Sequence, residues 1–210
     1  NKKPLTVLFY GPTGVGKTET AKFIAEIIGQ ELFRKQFSMY QNNSFSDYLF
    51  GASHTSSSFA KDLLDRQSNV ILLDEFDKAN NLFYSAFYQL FDEGIYSDRN
   101  YEVHLENGLI ICTSNFLSVA HIKEVLGEPI YNRFDLVVEF SELSKEISEK
   151  IIQNRYATTI NILDSSDRKI IDEFGELERL MEYAQHLKNV RAIDKFIDEY
   201  IFQTILNHLE

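Results

Sequence analysis

The chain has 210 residues, 44% of them hydrophobic and 25% charged, ordinary values for a globular protein and enough length for one good-sized core or a core plus a small appendage. No apolar run approaches the roughly 20 residues that cross a bilayer, the chain does not begin with a secretory leader, and the single cysteine, Cys112, cannot form an internal disulfide, so a reducing cytoplasm is the expected compartment. The net charge of −11 argues against a general nucleic-acid or anionic-membrane surface.

The start at Asn1, without a methionine and almost directly on the first strand, predicts a piece of a longer protein. Leu5–Tyr10 reads as a buried strand and Glu19–Ile28 as a helix closed by Gly29. Phe33–Met39 reads as a second strand and Ser44–Phe50 as a short helix stopped by Gly51. Ala52–Ser58 is small and polar and predicts a loop, followed by a helix over Phe59–Gln67. Val70–Leu73 is a fully apolar strand, Asn80–Asp92 a helix ending at Gly94, and Tyr101–Leu105 one arm of a hairpin. Leu109–Thr113 is another buried strand, Phe116–Leu126 a helix stopped by Gly127 and Pro129, and Leu136–Phe140 a last apolar strand. Alternating strands and helices predict an α/β fold with a parallel sheet covered on both faces. After Ser141 helical runs dominate, over Lys145–Thr158, Asp167–Phe174, Leu177–Leu187 and Asn189–Leu209. Ile193, Phe196, Ile197, Tyr200, Ile201 and Ile205 share one helical face. The expected domains are therefore 1–141 and 142–210.

Gly11-Pro12-Thr13-Gly14-Val15-Gly16-Lys17-Thr18 matches G-x-x-x-x-G-K-[ST] in full, and it lies between a strand and a helix. The glycines let the backbone turn tightly, so that successive N–H groups converge on an anion. The helix N-terminus adds its own N–H groups and partial positive charge. Lys17 supplies a full charge for the β- and γ-phosphates of a nucleotide, and the Thr18 hydroxyl suits Mg²⁺. The expected nucleotide-binding set runs from Gly11 through Thr18 to Glu19, at the head of the helix. Val70–Leu73 ends in Asp74-Glu75, which puts two carboxylates at the carboxyl end of a parallel strand, where ligands bind in such folds. Asp74 suits Mg²⁺ or one of its waters, so the expected metal residues are Thr18 and Asp74. Glu75 suits activation of a water for attack on the γ-phosphate. Leu109–Thr113 ends in Ser114-Asn115, and an amide there can hold an attacking water by donating and accepting at once.

With these motifs the chain resembles the AAA+ ATPases, most closely the Clp-type unfoldase and disaggregase chaperones. Val70 through Ala79 is similar to their Walker B segment, Phe87 through Gly94 to the helix after it, and Thr113-Ser114-Asn115 to their sensor-1 tip. Tyr131-Asn132-Arg133-Phe134-Asp135 resembles the segment with their arginine finger, which implies that role for Arg133. Asn189-Val190-Arg191-Ala192-Ile193 is similar to the start of their sensor-2 helix, which implies nucleotide sensing by Arg191. The resemblance covers Pro4 to about Phe202. It implies a P-loop NTPase with a five-stranded parallel sheet flanked by helices, plus a small C-terminal helical lid with ATP at the junction. It also implies ATP hydrolysis with Mg²⁺, assembly into a ring of usually six subunits, and a protein substrate or partner. Catalysis would fall to Glu75, Asn115 and Arg133.

The chain departs from the family in the hairpin region Gly94–Asn107, where Glu106 stands at a position often basic in the Clp-type pattern, in the absence of the upstream residues that usually wall the adenine, and in a loop that bears on substrate handling. The family's substrate-gripping loop carries an aromatic, an aliphatic and a glycine in a row, whereas Ala52–Ser58 has serines, a threonine and His54. An aromatic paddle grips by contact area, which serines do not offer. An ATP-gated binding or scaffold module without peptide threading is therefore a second expectation. A DNA-directed motor is a third, disfavoured by the net charge of −11. The aromatic run Phe83, Tyr84, Phe87, Tyr88 and Phe91 is read first as core packing.

Overall fold

A computed structural model describes residues 3–39, 44–53, 55–79, 81–184 and 186–208. His54 lies outside the described residues, as do Tyr40 after the expected second strand, Asn80 at the start of an expected helix, and Leu209 at the end of the last one. Strands β1 (Leu5–Tyr10), β2 (Leu32–Gln36) and β3 (Val70–Asp74) are followed by a small antiparallel pair, β4 (Ile95–Ser97) and β5 (Glu102–His104), and then by β6 (Leu109–Thr113) and β7 (Leu136–Glu139). Among the described residues the main sheet has five strands, all parallel, in the order β2-β3-β6-β1-β7. The α/β expectation and the strand count hold.

Register sorts the sheet's side chains onto two faces, because paired positions of parallel strands point the same way. Leu8, Tyr10, Ile71, Leu73, Ile110 and Cys112 point to one face. That face packs against a mesh of rings that includes Phe37, Phe45, Phe59, Phe76, Phe87, Phe91 and Phe134. Val7, Phe9, Leu72 and Ile111 point to the other face, where the packing partners are smaller, Ala21 among them. Ala21 belongs to helix α1 (Lys17–Ile28), which also buries Ala25, and the two alanines let the helix backbone lie close to the sheet.

The aromatic face is built by short elements. After β2 the chain tightens into a 3-10 turn, Phe37–Met39, which drops Phe37 into the ring mesh, so the expected strand ends three residues early. Helix α2 is Ser44–Phe50 and α3 is Phe59–Leu64, capped by the Ser58 hydroxyl accepting from Lys61 N–H. Helix α3 stops short of the expected Gln67 because Arg66 folds back, donating from Nη1 to Leu63 O at 2.5 Å and from Nη2 to His104 O at 3.0 Å. The expected helix over 80–92 is a 3-10 segment, Asn81–Phe87, followed by α4 (Tyr88–Glu93). Three residues per turn bring Tyr84 and Phe87 onto one line, and both are buried. The bland reading of that aromatic run as core is correct for Tyr84, Phe87 and Phe91, while Phe83 and Tyr88 pack at its edge.

Helix α5 (Val119–Leu126) begins at its Ser118 cap rather than at Phe116. Pro129 does not only end a helix: it sits in the first turn of α6 (Glu128–Tyr131), where its missing N–H has no intrahelical partner to lose.

The chain divides into two compact units, one comprising the residues up to Pro12 together with Lys17–Phe140, the other Thr13–Gly16 together with the residues from Ser141 onward. The second unit holds α7 (Lys145–Ile162), α8 (Ser165–Phe174), α9 (Leu177–Ala184) and α10 (Val190–His208). Its core is mostly isoleucine: Ile152, Ile171, Ile193, Ile197 and Ile201, with Tyr156 and Leu180. The side chains of Ser144, Asp164 and Asn189 cap α7, α8 and α10 by accepting from first-turn N–H groups. No helix among the described residues is long and apolar enough to cross a membrane.

Candidate functional site

The glycine loop leaves β1 at Gly11, whose φ is 138°. A Cβ there would stand 2.0 Å from the backbone oxygen of Phe140, so only glycine fits. Lys17 opens α1 and is 7% exposed. Its ammonium donates to Gly11 O at 2.8 Å, Pro12 O at 2.6 Å and Asn115 Oδ1 at 3.3 Å. A buried ammonium requires such partners, and the loop's own carbonyls supply two of them. Within the second unit, Val190 N–H donates to Gly14 O at 2.7 Å. Glu19 is on the first turn of α1, but its carboxylate is exposed and paired with Lys22 at 2.7 Å.

The acid at the end of β3 is buried and densely bonded. The Asp74 side chain is 6% exposed. Its Oδ1 accepts from Thr113 Oγ1 at 2.5 Å and lies 3.3 Å from Thr18 Oγ1. Its Oδ2 accepts from Arg34 Nη2 at 2.5 Å and Arg34 Nε at 3.0 Å, and lies 3.4 Å from Thr18 Oγ1. The expected metal pair, Thr18 and Asp74, is thus in hydrogen-bond reach of one another. Two hard oxygens at the head of a phosphate-type loop fit Mg²⁺, which takes few protein ligands and completes its shell with water and phosphate oxygens. No group of three or more histidine, cysteine or acidic side chains arranged to hold a metal occurs among the described residues.

Glu75 follows with φ 56° and ψ 45°, a left-handed conformation unusual for a non-glycine residue and one that clusters at functional sites. Thr113 stabilises it: the same hydroxyl that donates to Asp74 accepts from Glu75 N–H at 2.9 Å. Glu75 Oε2 accepts from Gln36 Nε2 at 3.2 Å. Asn115, just past β6, is held against Lys17. The structure therefore brings Lys17, Thr18, Asp74, Glu75 and Asn115 together at the carboxyl ends of β1, β3 and β6. Cys112 is on the sheet's opposite face, fully buried, and burial pushes its thiol well above the ordinary value, so it is no nucleophile.

Arg133 follows α6 and is held within its own chain. Its Nε donates to Asp92 Oδ2 at 2.8 Å, its Nη1 donates to Pro129 O at 2.5 Å, and its guanidinium lies 4.2 Å over the Tyr88 ring. Arg191 is exposed in the first turn of α10.

Three residues that touch this site were not assigned a role from the sequence. Thr113 was visible as the last residue of a strand and the first of the tip motif, and Arg34 and Gln36 as part of a polar run, Arg34-Lys35-Gln36, that ends another strand. Parallel pairing sets Gln36 opposite Asp74 and Arg34 opposite Leu72, so both side chains share the face and end of the sheet that carry Asp74. A run of three polar residues, Arg34-Lys35-Gln36, at the carboxyl end of β2 was the available signal, and the period of two puts Arg34 and Gln36 on one face. Its meaning depended on which strand lay alongside.

A glycine loop between β1 and α1, a buried acid ending β3 and a polar tip on β6 define the P-loop NTPase fold. The chain belongs to the AAA domain family, Cdc48 subfamily, which matches residues 2–174. It is 32% identical over 236 residues to a ClpA homolog protein of Fuscovulum blasticum, covering 100% of this chain and 29% of that protein. It is 26% identical over 235 residues to the ATP-dependent Clp protease ATP-binding subunit ClpL of Staphylococcus aureus, covering 97% of this chain and 34% of that one. The chain therefore spans about a third of the length of these curated relatives. In fold it is similar to Hsp104 in a closed-state cryoEM reconstruction with ATPγS and FITC casein, with a TM-score of 0.78, 20% identity, and coverage of 96% of this chain and 40% of that one.

Proposed function

We propose that the chain is a Mg-ATP-hydrolysing AAA+ module that remodels a protein partner within a ring assembly. The observation that supports this most is the convergence of Lys17, Thr18, Asp74, Glu75 and Asn115, bridged by the Thr113 hydroxyl. In this reading the Gly11–Gly16 backbone and Lys17 bind the phosphates of ATP, and the N–H groups at the head of α1 add to their field. Thr18 and Asp74 hold Mg²⁺, which when bound neutralises charge on the phosphate oxygens. Glu75, in its left-handed backbone conformation, takes the proton of the attacking water. Asn115 orients that water. Arg133 acts on a neighbouring subunit's nucleotide, for which it must leave Asp92 and Tyr88, and Arg191 senses nucleotide from the helical unit.

The relatives support a protein substrate: the Hsp104 reconstruction contains casein, and the ClpL protein is named as a protease's ATP-binding subunit. One observation favours the second reading, a nucleotide-gated binding module that does not thread chains. Ser53 and Ser56 close the start of the 52–58 loop on itself, Ser56 Oγ donating to Ser53 O at 2.8 Å and Ser53 N–H donating to Ser56 Oγ at 3.0 Å. Such a loop presents hydroxyls rather than an aromatic grip.

The test is phosphate release against protein concentration, with Mg²⁺ and saturating ATP, alongside Lys17→Ala and Glu75→Gln. Lys17→Ala is expected to lose nucleotide binding, and Glu75→Gln to bind ATP and fail to turn it over. A rate per subunit that climbs with concentration supports completion of the site by Arg133 of a neighbour. Normal turnover by Glu75→Gln overturns the assignment of the base. ATP binding by the wild type without turnover at any concentration favours the gated-module reading.

A further inference from the structure

The Arg34–Asp74 contact goes beyond these roles. Asp74 is a buried carboxylate, and such a group is destabilising unless a counter-charge or a full set of donors meets it. Its Oδ1 has the Thr113 hydroxyl. Its Oδ2 has two N–H groups of one guanidinium, at 2.5 and 3.0 Å. That guanidinium forms an ion pair with Asp74. It arrives from β2, the edge strand of the sheet, and not from any phosphate-binding element. The Arg34 side chain is 40% exposed while that of Asp74 is 6% exposed, so the arginine reaches inward from solvent and has somewhere to withdraw to. A second acceptor, Gln36 Oε1, lies 3.4 Å from Arg34 Nη2 on the solvent side of the contact.

The geometry points to Arg34 as a displaceable counter-cation, one that holds Asp74 in place and competes with the divalent metal for Asp74 Oδ2. A guanidinium with two hydrogen bonds to an oxygen occupies the lone pairs that a metal needs, and its charge repels a divalent cation at the same carboxylate. Metal entry therefore requires Arg34 to swing outward. Arg34 is a positioning residue: its contacts are to Asp74 and Gln36, and it acts through Asp74. The consequence is a raised metal threshold. Nucleotide without metal leaves Arg34 on Asp74, and only nucleotide arriving with a divalent cation releases it. This inference rests on Asp74 being the metal-side acid.

The test measures binding, not turnover. Mn²⁺ is titrated into the full chain with saturating ATP, and bound Mn²⁺ is read by electron paramagnetic resonance for wild type, Arg34→Gln, Arg34→Lys and Asp74→Asn. Competition predicts that Arg34→Gln lowers the Mn²⁺ concentration for half-saturation by about ten- to a hundredfold, the size of a hydrogen bond to a charged group. Arg34→Lys should stay near wild type, and affinity for ATP in EDTA should not change in either variant. An unchanged or higher Mn²⁺ requirement in Arg34→Gln overturns the inference. Loss of high-affinity Mn²⁺ by Asp74→Asn supports the underlying site, and retention of it removes that site whatever Arg34 does. Should Arg34→Gln fold poorly, the wild-type protein alone decides. The Arg34 Nε–H resonance should be protected from exchange with ATP in EDTA and should lose that protection when Mg²⁺ is added, and protection that persists with Mg²⁺ overturns the displacement.

Discussion

The two faces of the sheet are built to different rules. One face is a ring mesh, where Phe87 alone has Phe37, Phe59, Phe76, Phe91 and Tyr96 within 6.1 Å between ring centroids. The other is lean, with α1 laid close over Val7, Phe9, Leu72 and Ile111 by way of small residues. The side chains hydrogen-bonded to the Asp74 carboxylate among the described residues come from the lean face: Thr18 from α1, and Arg34 and Thr113 from positions in register with Leu72 and Phe9. Rings give large, well-shaped buried area and anchor β3 and β6 from behind. Alanines leave the head of α1, with Lys17 and Thr18, near the strand ends. Stability is concentrated on one face and chemistry on the other.

The sharpest way to break this division is Phe87→Ala. Phe87 is fully buried, so the expected loss is about 3–5 kcal/mol by urea denaturation, with nucleotide affinity unchanged in the fraction that stays folded. A comparable loss of affinity would show that the ring mesh shapes the site directly. Ala21→Leu is the converse probe. Ala21 has no exposed surface, and overpacking there should cost about 1–3 kcal/mol while shifting α1, so that nucleotide affinity falls more than it does in Phe87→Ala. Unaltered affinity in Ala21→Leu would mean that the close fit of α1 does not set the position of Lys17 and Thr18.

A third probe works at the far end of the sheet, where Asp135 ties β7 to β1. Burial raises the Asp135 carboxyl, but Lys3 and the backbone and hydroxyl of Thr6 outweigh that and hold it below the ordinary aspartate value. A lowered folded value means stability that is present above the unfolded aspartate value and lost as pH falls through the folded one. Asp135→Asn should therefore be less stable than wild type at neutral pH by about 1 kcal/mol, and the gap should close in acid. A gap that is constant with pH would assign the effect to packing. The smallest effect is expected on the outer side of α1, where Phe23 is 60% exposed: Phe23→Ser should change the stability of the dilute chain by less than about 0.5 kcal/mol.

Much of the site was legible in the chain because its signals are local. Gly11 is glycine for a reason of backbone geometry, and Lys17 and Thr18 follow it at the head of a helix. An apolar run ending in Asp74 and Glu75 declares its own carboxyl end. The helices were placed less well where side chains overrode periodicity, as when Arg66 ended α3 or the ring mesh wound 81–87 into a 3-10 segment. The left-handed turn at Glu75 had no sequence signal at all.

By itself, then, the sequence determined the glycine loop, the alternation of strands and helices, the acids after Leu73 and the isoleucine face of α10, since each depends on residues within a few positions of one another. Only the tertiary structure decided that β2 and β6 flank β3. That neighbourhood puts Arg34 on Asp74, Gln36 on Glu75 and the Thr113 hydroxyl between the two acids. Strand order and register join positions about forty residues apart in the chain, and no local pattern of charge or hydrophobicity carries that pairing.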